Sequence, residues 1–309
     1  MKKVNVFLST YNGMTYLKEQ LDSLVDQSYK CIDVYVHDDG SIDATCDILK
    51  DYLGKNFNGI RFIHVDMDKG FGYPSCFISM LKVCENADYY AFCDQDDVWH
   101  PDKIERAVDH LEKVDMTPKL YYSAVNYCDK DLNFVRYSRY SDKGAGCKEK
   151  DIYSLLLGGE AMGMTFCFDN TAKDILVRST EFTDQFKDMF LKIACAACGI
   201  VLYDSEPGAE YRRHENAVTN NTNPSSKLKR YLKEANTVFF QNENYEHIRL
   251  IINYLLNTKG LLVNDRKFLE LFSDVSPLKQ IKKVFYPRRY RKFLLDEIGY
   301  RFVMLIGKI

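Results

Sequence analysis

The stretch Phe92-Cys93-Asp94-Gln95-Asp96-Asp97-Val98-Trp99, which follows directly on Tyr89-Tyr90-Ala91, decides how the rest of the chain is read. Tyr89 to Cys93 is apolar and of strand length, and it reads as a buried strand. Three carboxylates then fall within four residues, where they repel one another and raise each other's pKa. A divalent cation relieves that repulsion, and hard cations such as Mg²⁺ and Mn²⁺ prefer carboxylate oxygens. A magnesium-type ion takes one or two protein carboxylates and leaves its other positions to water and substrate phosphates. The run therefore predicts a metal–diphosphate site at the end of a strand; the alternative is an acidic strand-to-loop turn.

On either side, short apolar strands alternate with helical patterns through roughly the first 125 residues. Val4 to Leu8 reads as a strand, and Leu17, Leu21, Leu24 and Val25 recur at helical spacing behind Gly13. Ile32 to Val36 is the second strand, and Ala44, Ile48, Leu49 and Tyr52 mark a helix. Ile60 to Val65 is the third strand, and Pro74 opens a helix carrying Phe77, Ile78, Leu81 and Cys84. After the acidic run, Pro101 opens a helix with Ile104, Val108 and Leu111, and Leu120 to Val125 is a further strand. Repeated βα units imply a mainly parallel sheet with helices on both faces. Ligands of such sheets bind beyond the carboxyl ends of the strands. Thr10-Tyr11-Asn12, Asp38-Asp39-Gly40-Ser41 and Asp94 to Asp97 collect there, so three strand ends are expected to converge on one crevice.

From Asn126 to Lys150 the pattern weakens into a long surface excursion on the acceptor side of the cleft. Asp151 to Leu157 reads as a short helix, and Met162 to Phe168 as a strand whose Gly163 permits close approach of a ligand. Gln185 to Cys198 reads as a helix and Ile200 to Tyr203 as a strand, followed by Tyr211-Arg212-Arg213-His214-Glu215-Asn216.

At 309 residues, 46% apolar and 28% charged, the chain has the composition of a globular protein with one large domain and an appendage, or two domains. No apolar stretch reaches the roughly 20 residues needed to span a bilayer. The N-terminus carries no signal-peptide pattern, and the ten cysteines have no framework spacing, which suits a reducing cytoplasm. The net charge of −2 hides an asymmetry: Leu278 to Ile309 holds nine Lys/Arg against two acids, while the remainder is acidic. Basic residues interleave there with Leu278, Ile281, Val284, Phe285 and Leu294, which predicts an amphipathic tail for an anionic membrane surface. The alternative is a solvated basic helix packed on the body. No nucleic-acid-binding module is visible.

Ser9-Thr10-Tyr11-Asn12-Gly13, Asp38-Asp39-Gly40-Ser41-Ile42-Asp43 and Asp94-Gln95-Asp96-Asp97-Val98-Trp99 are followed, in order, by Gly163-Met164-Thr165, Lys187-Asp188-Met189-Phe190 and Tyr211-Arg212-Arg213-His214. In these pieces, which cover roughly residues 1 to 220, the chain resembles the family 2 glycosyltransferases of GT-A type. The resemblance is greatest to bacterial rhamnosyltransferase-type members that build capsular and other surface polysaccharides. It implies an α/β GT-A (nucleotide-diphospho-sugar transferase) fold over residues 1–220, split into a nucleotide-sugar half (1–125) and an acceptor half (126–220). A helical C-terminal region (221–309) follows.

The resemblance further implies an inverting, Mn²⁺- or Mg²⁺-dependent transfer from a nucleotide-diphosphate sugar to a glycan or lipid-linked glycan. The reaction would take place at the inner face of the cell membrane. Thr10, Tyr11, Asn12, Asp38 and Asp39 would hold the nucleoside, with Asp94 and Asp97 beside the ribose and metal. Lys69 would lie near the diphosphate, Asp96 and His214 at the metal, and Asp188 would be the catalytic base, kept ionised by a helix N-terminus. Three positions depart from the family pattern: Lys187 stands where His is usual, Glu215 where Gly is usual, and Asp68-Lys69-Gly70 replaces Asn-x-Gly. Two other readings remain open, a nucleotidyltransferase or other nucleotide-sugar enzyme, and a non-catalytic glycan- or nucleotide-binding module. Cys195 and Cys198 form a C-x-x-C inside an apolar helix and read as core.

Overall fold

A computed structural model describes residues 1–67, 70–138, 144–158, 161–214, 243–259 and 261–309, without the side chains of 180–186, 243 and 244. Lys69, Glu215 and Asn216 lie outside the described residues. Two compact units are present: Met1–Lys150, Glu160–Cys195 and Gly199–His214 form the first, and Asp151–Gly159, Ala196–Cys198 and Glu215–Ile309 the second.

The first unit is built on one sheet. Its strands are β1 (Val4–Thr10), β2 (Ile32–Asp38), β3 (Asn56–Phe57), β4 (Ile60–His64), β5 (Tyr89–Cys93), β6 (Val98–Trp99), β7 (Lys119–Cys128), β8 (Phe134–Tyr137), β9 (Cys147–Lys150), β10 (Phe166–Asp169) and β11 (Ile200–Arg212). They lie in the order β3-β4-β2-β1-β5-β10-β7-β11-β6, with β8 on β7 and β9 on β11. β4, β2, β1 and β5 are mutually parallel, as are β7 and β11, and β10 runs antiparallel between β5 and β7. Val4, Val6, Phe7 and Leu8 are all fully buried, as expected of a strand covered on both faces.

The covering helices are α1 (Leu17–Val25), α2 (Thr45–Lys50), α3 (Ser75–Val83) and α4 (Lys103–Leu111). The periodic residues of the sequence turn inward: Leu17, Leu21 and Leu24 on α1, and Ile104, Val108 and Leu111 on α4. Three segments differ from expectation. The stretch after Asn126 is not one irregular excursion, since β7 continues to Cys128 and β8 and β9 pair with the sheet. Gly163–Thr165 is a 3₁₀ turn, and only Phe166 onward is strand. β11 does not stop at Tyr203; it runs to Arg212 by absorbing register shifts around Pro207. A proline is tolerated at such a bulge because no ladder hydrogen bond is asked of it.

In the remaining part, α5 (Ile152–Leu155) precedes α6 (Asn170–Arg178) and α7 (Thr180–Cys198), and the chain ends in α8 (Glu243–Asn257), α9 (Arg266–Phe272), α10 (Pro277–Val284) and α11 (Leu294–Leu305). The second unit has an aromatic core: the Phe268 ring lies 4.4 Å from Tyr153 and 5.1 Å from both Phe272 and Tyr286. Cys195 and Cys198 are buried, and no disulfide forms among the ten cysteines. Among the described residues no helix is long and apolar enough to cross a membrane.

Candidate active site

The register of the sheet brings the chemistry to one edge. Thr10 is the partner of Asp38 across β1 and β2, and Leu8 the partner of Cys93 across β1 and β5. Tyr11, Asp39 and Asp94 therefore emerge side by side. β10 is reversed, so its beginning reaches the same edge, with Gly163 just before it. β11 is parallel to β7, so its end carries Arg212 and His214 there. The short strand β6 pairs with β11 at Ala209 and Glu210, which pins the far end of the acidic loop.

Within that loop the carboxylates differ. Asp96 Oδ2 lies 2.8 Å from His214 Nε2, whose ring sits 4.8 Å from that of Tyr16. Asp97 is fully buried; its Oδ1 accepts the Arg212 backbone N–H at 3.0 Å, and its Oδ2 has no partner. Asp97 thus braces the loop against the end of β11. Burial, then the charges of Asp96 and Asp94, push its pKa well up. Burial also pushes Asp94 up to about 7, with the charges of Asp96 and Asp188 adding to the rise and Lys187 opposing it. Burial is the larger cause of both shifts and the repulsion among the carboxylates the smaller. Asp96 and His214, a carboxylate and an imidazole 2.8 Å apart at this edge, fit a divalent ion that takes most of its ligands from substrate and water. Among the described residues no group of three or more side chains forms a closed metal cage.

The nucleoside side is organised by internal hydrogen bonds. Asp38 accepts from Thr10 Oγ1 at 2.8 Å and from the Ser41 hydroxyl and N–H at 2.6 and 2.8 Å. Burial acts to raise its pKa, but these donors outweigh burial and the net shift is downward. Asp39 accepts three successive backbone N–H groups, from Gly70, Phe71 and Gly72 at 2.8 to 2.9 Å, and so ties the segment that follows β4 to the end of β2. Asn12 sits at φ 46° and accepts the Ile42 N–H at 2.9 Å. Tyr11 presents its ring to solvent, 57% exposed. The loop that carries it is locked by Gln95, which accepts the Tyr11 N–H at 2.9 Å and donates to its carbonyl at 3.0 Å.

Asp188 is at the same edge, and its charge is felt at Asp94. Its Oδ1 accepts from Lys187 Nζ at 2.6 Å and its Oδ2 from the Gly163 N–H at 3.0 Å, with the Tyr73 hydroxyl at 3.4 Å. The close approach that Gly163 permits is that of Asp188: a β-carbon there would lie 2.3 Å from Asp188 Oδ1. The helix-terminus expectation is corrected. α7 begins at Thr180, two turns before Asp188, and the dipole effect fades within the first turn. The positive group beside Asp188 is Lys187. It is 2% exposed, with Nζ 4.3, 4.6 and 4.9 Å from the ring centres of Phe92, Phe77 and Tyr73.

The residues that fix the site without an expected role are Gln95, Lys187 and Arg212. The Arg212 guanidinium is buried, donates to the carbonyls of Asp96 and Lys130 at 2.9 and 2.6 Å, and pairs with Glu19. Its position beside His214 in the Tyr211–His214 run was the available signal. For Lys187 the signal was a lone charge next to Asp188 on an apolar helix.

A family profile, Glycosyl transferase family 2, matches residues 5–167. The dTDP-rhamnosyl transferase RfbG of Shigella flexneri is 30% identical over 222 residues, covering 68% of this chain and 72% of that protein. The uncharacterized glycosyltransferase RC0461 of Rickettsia conorii is 31% identical over 136 residues, 43% of this chain and 21% of the relative. Among solved structures, residues 1–349 of S. aureus TarS in complex with UDP superpose with a TM-score of 0.58 at 16% identity, over 93% of this chain and 73% of that one. At that identity the likeness concerns the fold.

Proposed function

This chain belongs to glycosyltransferase family 2 and has its GT-A fold, and on that membership we propose an inverting, metal-assisted transfer. A sugar moves from a nucleotide-diphosphate donor to a growing surface or capsular glycan, lipid-linked at the inner membrane face. The observation that supports this reading most is the meeting of Asp188 with the Asp94–Asp97 loop at one sheet edge.

The chemistry follows from those positions. Asp188 takes the proton of an acceptor hydroxyl as its oxygen bonds to the anomeric carbon, while the bond from that carbon to the diphosphate breaks on the opposite face. A carboxylate has about four lone-pair sites. Gly163 and Lys187 occupy one on each oxygen, which fixes the group and leaves capacity for the acceptor. Tyr11 and Asn12, shaped from behind by Thr10, Asp38 and Asp39, line the nucleoside end. The anionic loop repels a diphosphate on its own. Mn²⁺ or Mg²⁺ held by Asp96 and His214 would, when bound, supply Lewis-acid stabilisation of the leaving group. Lys69, outside the described residues, remains a proposed diphosphate contact.

A panel of nucleotide sugars, each with Mn²⁺ or Mg²⁺, tests the reading by its products. Release of free nucleoside diphosphate supports sugar transfer. Pyrophosphate supports a nucleotidyltransferase, and a thermal shift without turnover supports a binding module.

A further inference from the structure

The last two helices turn charged or polar groups inward and large apolar ones outward, although Val303 and Met304 of α11 are also buried. On α10, Gln280 and Lys283 face inward while Leu278, Ile281 and Phe285 face solvent, Phe285 with 78% of its surface exposed. On α11, Asp296 and Glu297 are buried while Leu295, Ile298, Phe302 and Leu305 are exposed. At 3.6 residues per turn those four α11 residues fall within about 90° of arc, so they form one stripe.

The inward charges are satisfied, which is what makes the inversion stable. Lys283 Nζ donates to the carbonyls of Asp274 and Ile309 at 3.0 and 2.8 Å. Glu297 accepts the backbone N–H groups of Tyr290 and Arg291 at 2.8 Å each and Arg301 Nε at 2.6 Å. Apolar stripes of this kind left in water mark a surface that something apolar covers.

We propose that the exposed stripes of α10 and α11 lie in the interface of an anionic lipid membrane. Charge complementarity selects this occupant. Every exposed charged side chain from Val275 to Ile309 is a cation, Lys282, Arg288, Arg289 and Lys292, and both acids of the stretch are buried. Two copies meeting through this face would set those cations against their own like, whereas anionic headgroups attract them. α11 is about 18 Å long against a hydrocarbon core of about 30 Å, so it lies in the surface and does not span it. The inference does not rest on the transfer chemistry, because binding to vesicles needs no donor.

Flotation of the full chain with vesicles tests it, using phosphatidylcholine alone and an equal mixture with phosphatidylglycerol. Two double variants at exposed positions serve as controls, with melting curves to confirm folding: Phe285→Glu with Leu295→Glu, and Lys282→Glu with Arg289→Glu. The unaltered chain should float with the anionic vesicles. The first variant should float with neither kind, and the second should bind anionic vesicles about tenfold or more weakly. Failure of the unaltered chain to float overturns the proposal, as does wild-type flotation of the first variant. A concentration-dependent dimer in sedimentation velocity, lost in the first variant and without flotation, assigns the face to a second copy.

Discussion

Asp188 accepts the Gly163 N–H at 3.0 Å across a gap too narrow for any side chain at position 163, since a β-carbon would come within 2.3 Å of the carboxylate. The turn before β10 therefore sets where the proposed base stands. Gly163→Ala should displace Asp188 and lower kcat about 100-fold, the scale on which an ångström of misplacement acts. Donor affinity, measured by thermal shift or titration calorimetry, should stay within about twofold, because the contacts at risk all lie on the acceptor side.

Lys187, buried, and Asp188, half-buried, form an ion pair at 2.6 Å, with three aromatic rings around the ammonium. Lys187→Met keeps the apolar stem among those rings and removes the charge. Melting temperature should fall modestly, because the part-buried Asp188 carboxylate is left without its counter-ion. kcat should fall while donor affinity holds, because the 2.6 Å contact fixes where the carboxylate stands. An unchanged kcat would assign Lys187 to packing alone.

Arg212 ties the end of β11 to the acidic loop through carbonyls that nothing else in its place would satisfy. Arg212→Met should cost about 2–4 kcal/mol of unfolding free energy in denaturant titration, from orphaned acceptors and an unpaired Glu19 discounted for its exposure. Metal affinity should fall with it, since His214 is two residues further along.

The sheet was legible because strands buried on both faces print as unbroken apolar runs; Val4 to Leu8 and Tyr89 to Cys93 are recovered nearly to the residue. The convergence of Thr10, Asp38 and Asp94 followed from parallel register, which places strand ends together. Three things were not legible. α7 begins with Thr180-Glu181-Phe182-Thr183-Asp184, too polar to show a helical face, and so Asp188 was set at a helix start instead of two turns inside. Pro207-Gly208 reads as a strand break, but a bulge accommodates the proline, and Gly208 avoids Ser123 Oγ, which a β-carbon would meet at 2.4 Å. The inverted helices are invisible to composition, because the same interleaved cations and leucines describe either face turned outward.

Asp94 carries a pH dependence whose sign is fixed. Its folded-state pKa is raised from 3.8 to about 7, by burial first and then by neighbouring carboxylates. Such a group stabilises fully below its unfolded value and loses that contribution as pH climbs through about 7. Without metal, the melting temperature should fall between about pH 5.5 and pH 7.5 by a few degrees. Mn²⁺ competes with the proton for this loop, so its stabilising shift should be larger at the higher pH. Equal shifts at both would separate the loop from the cation.

Asp188→Asn tests the central claim most directly, because the amide keeps an oxygen for the Gly163 N–H and removes the proton-accepting charge, together with the ion pair to Lys187. Donor binding with Mn²⁺ should persist, while nucleoside diphosphate release with acceptor present should fall by 100-fold or more, the scale of a lost general base. Turnover near that of the unaltered enzyme would contradict the account.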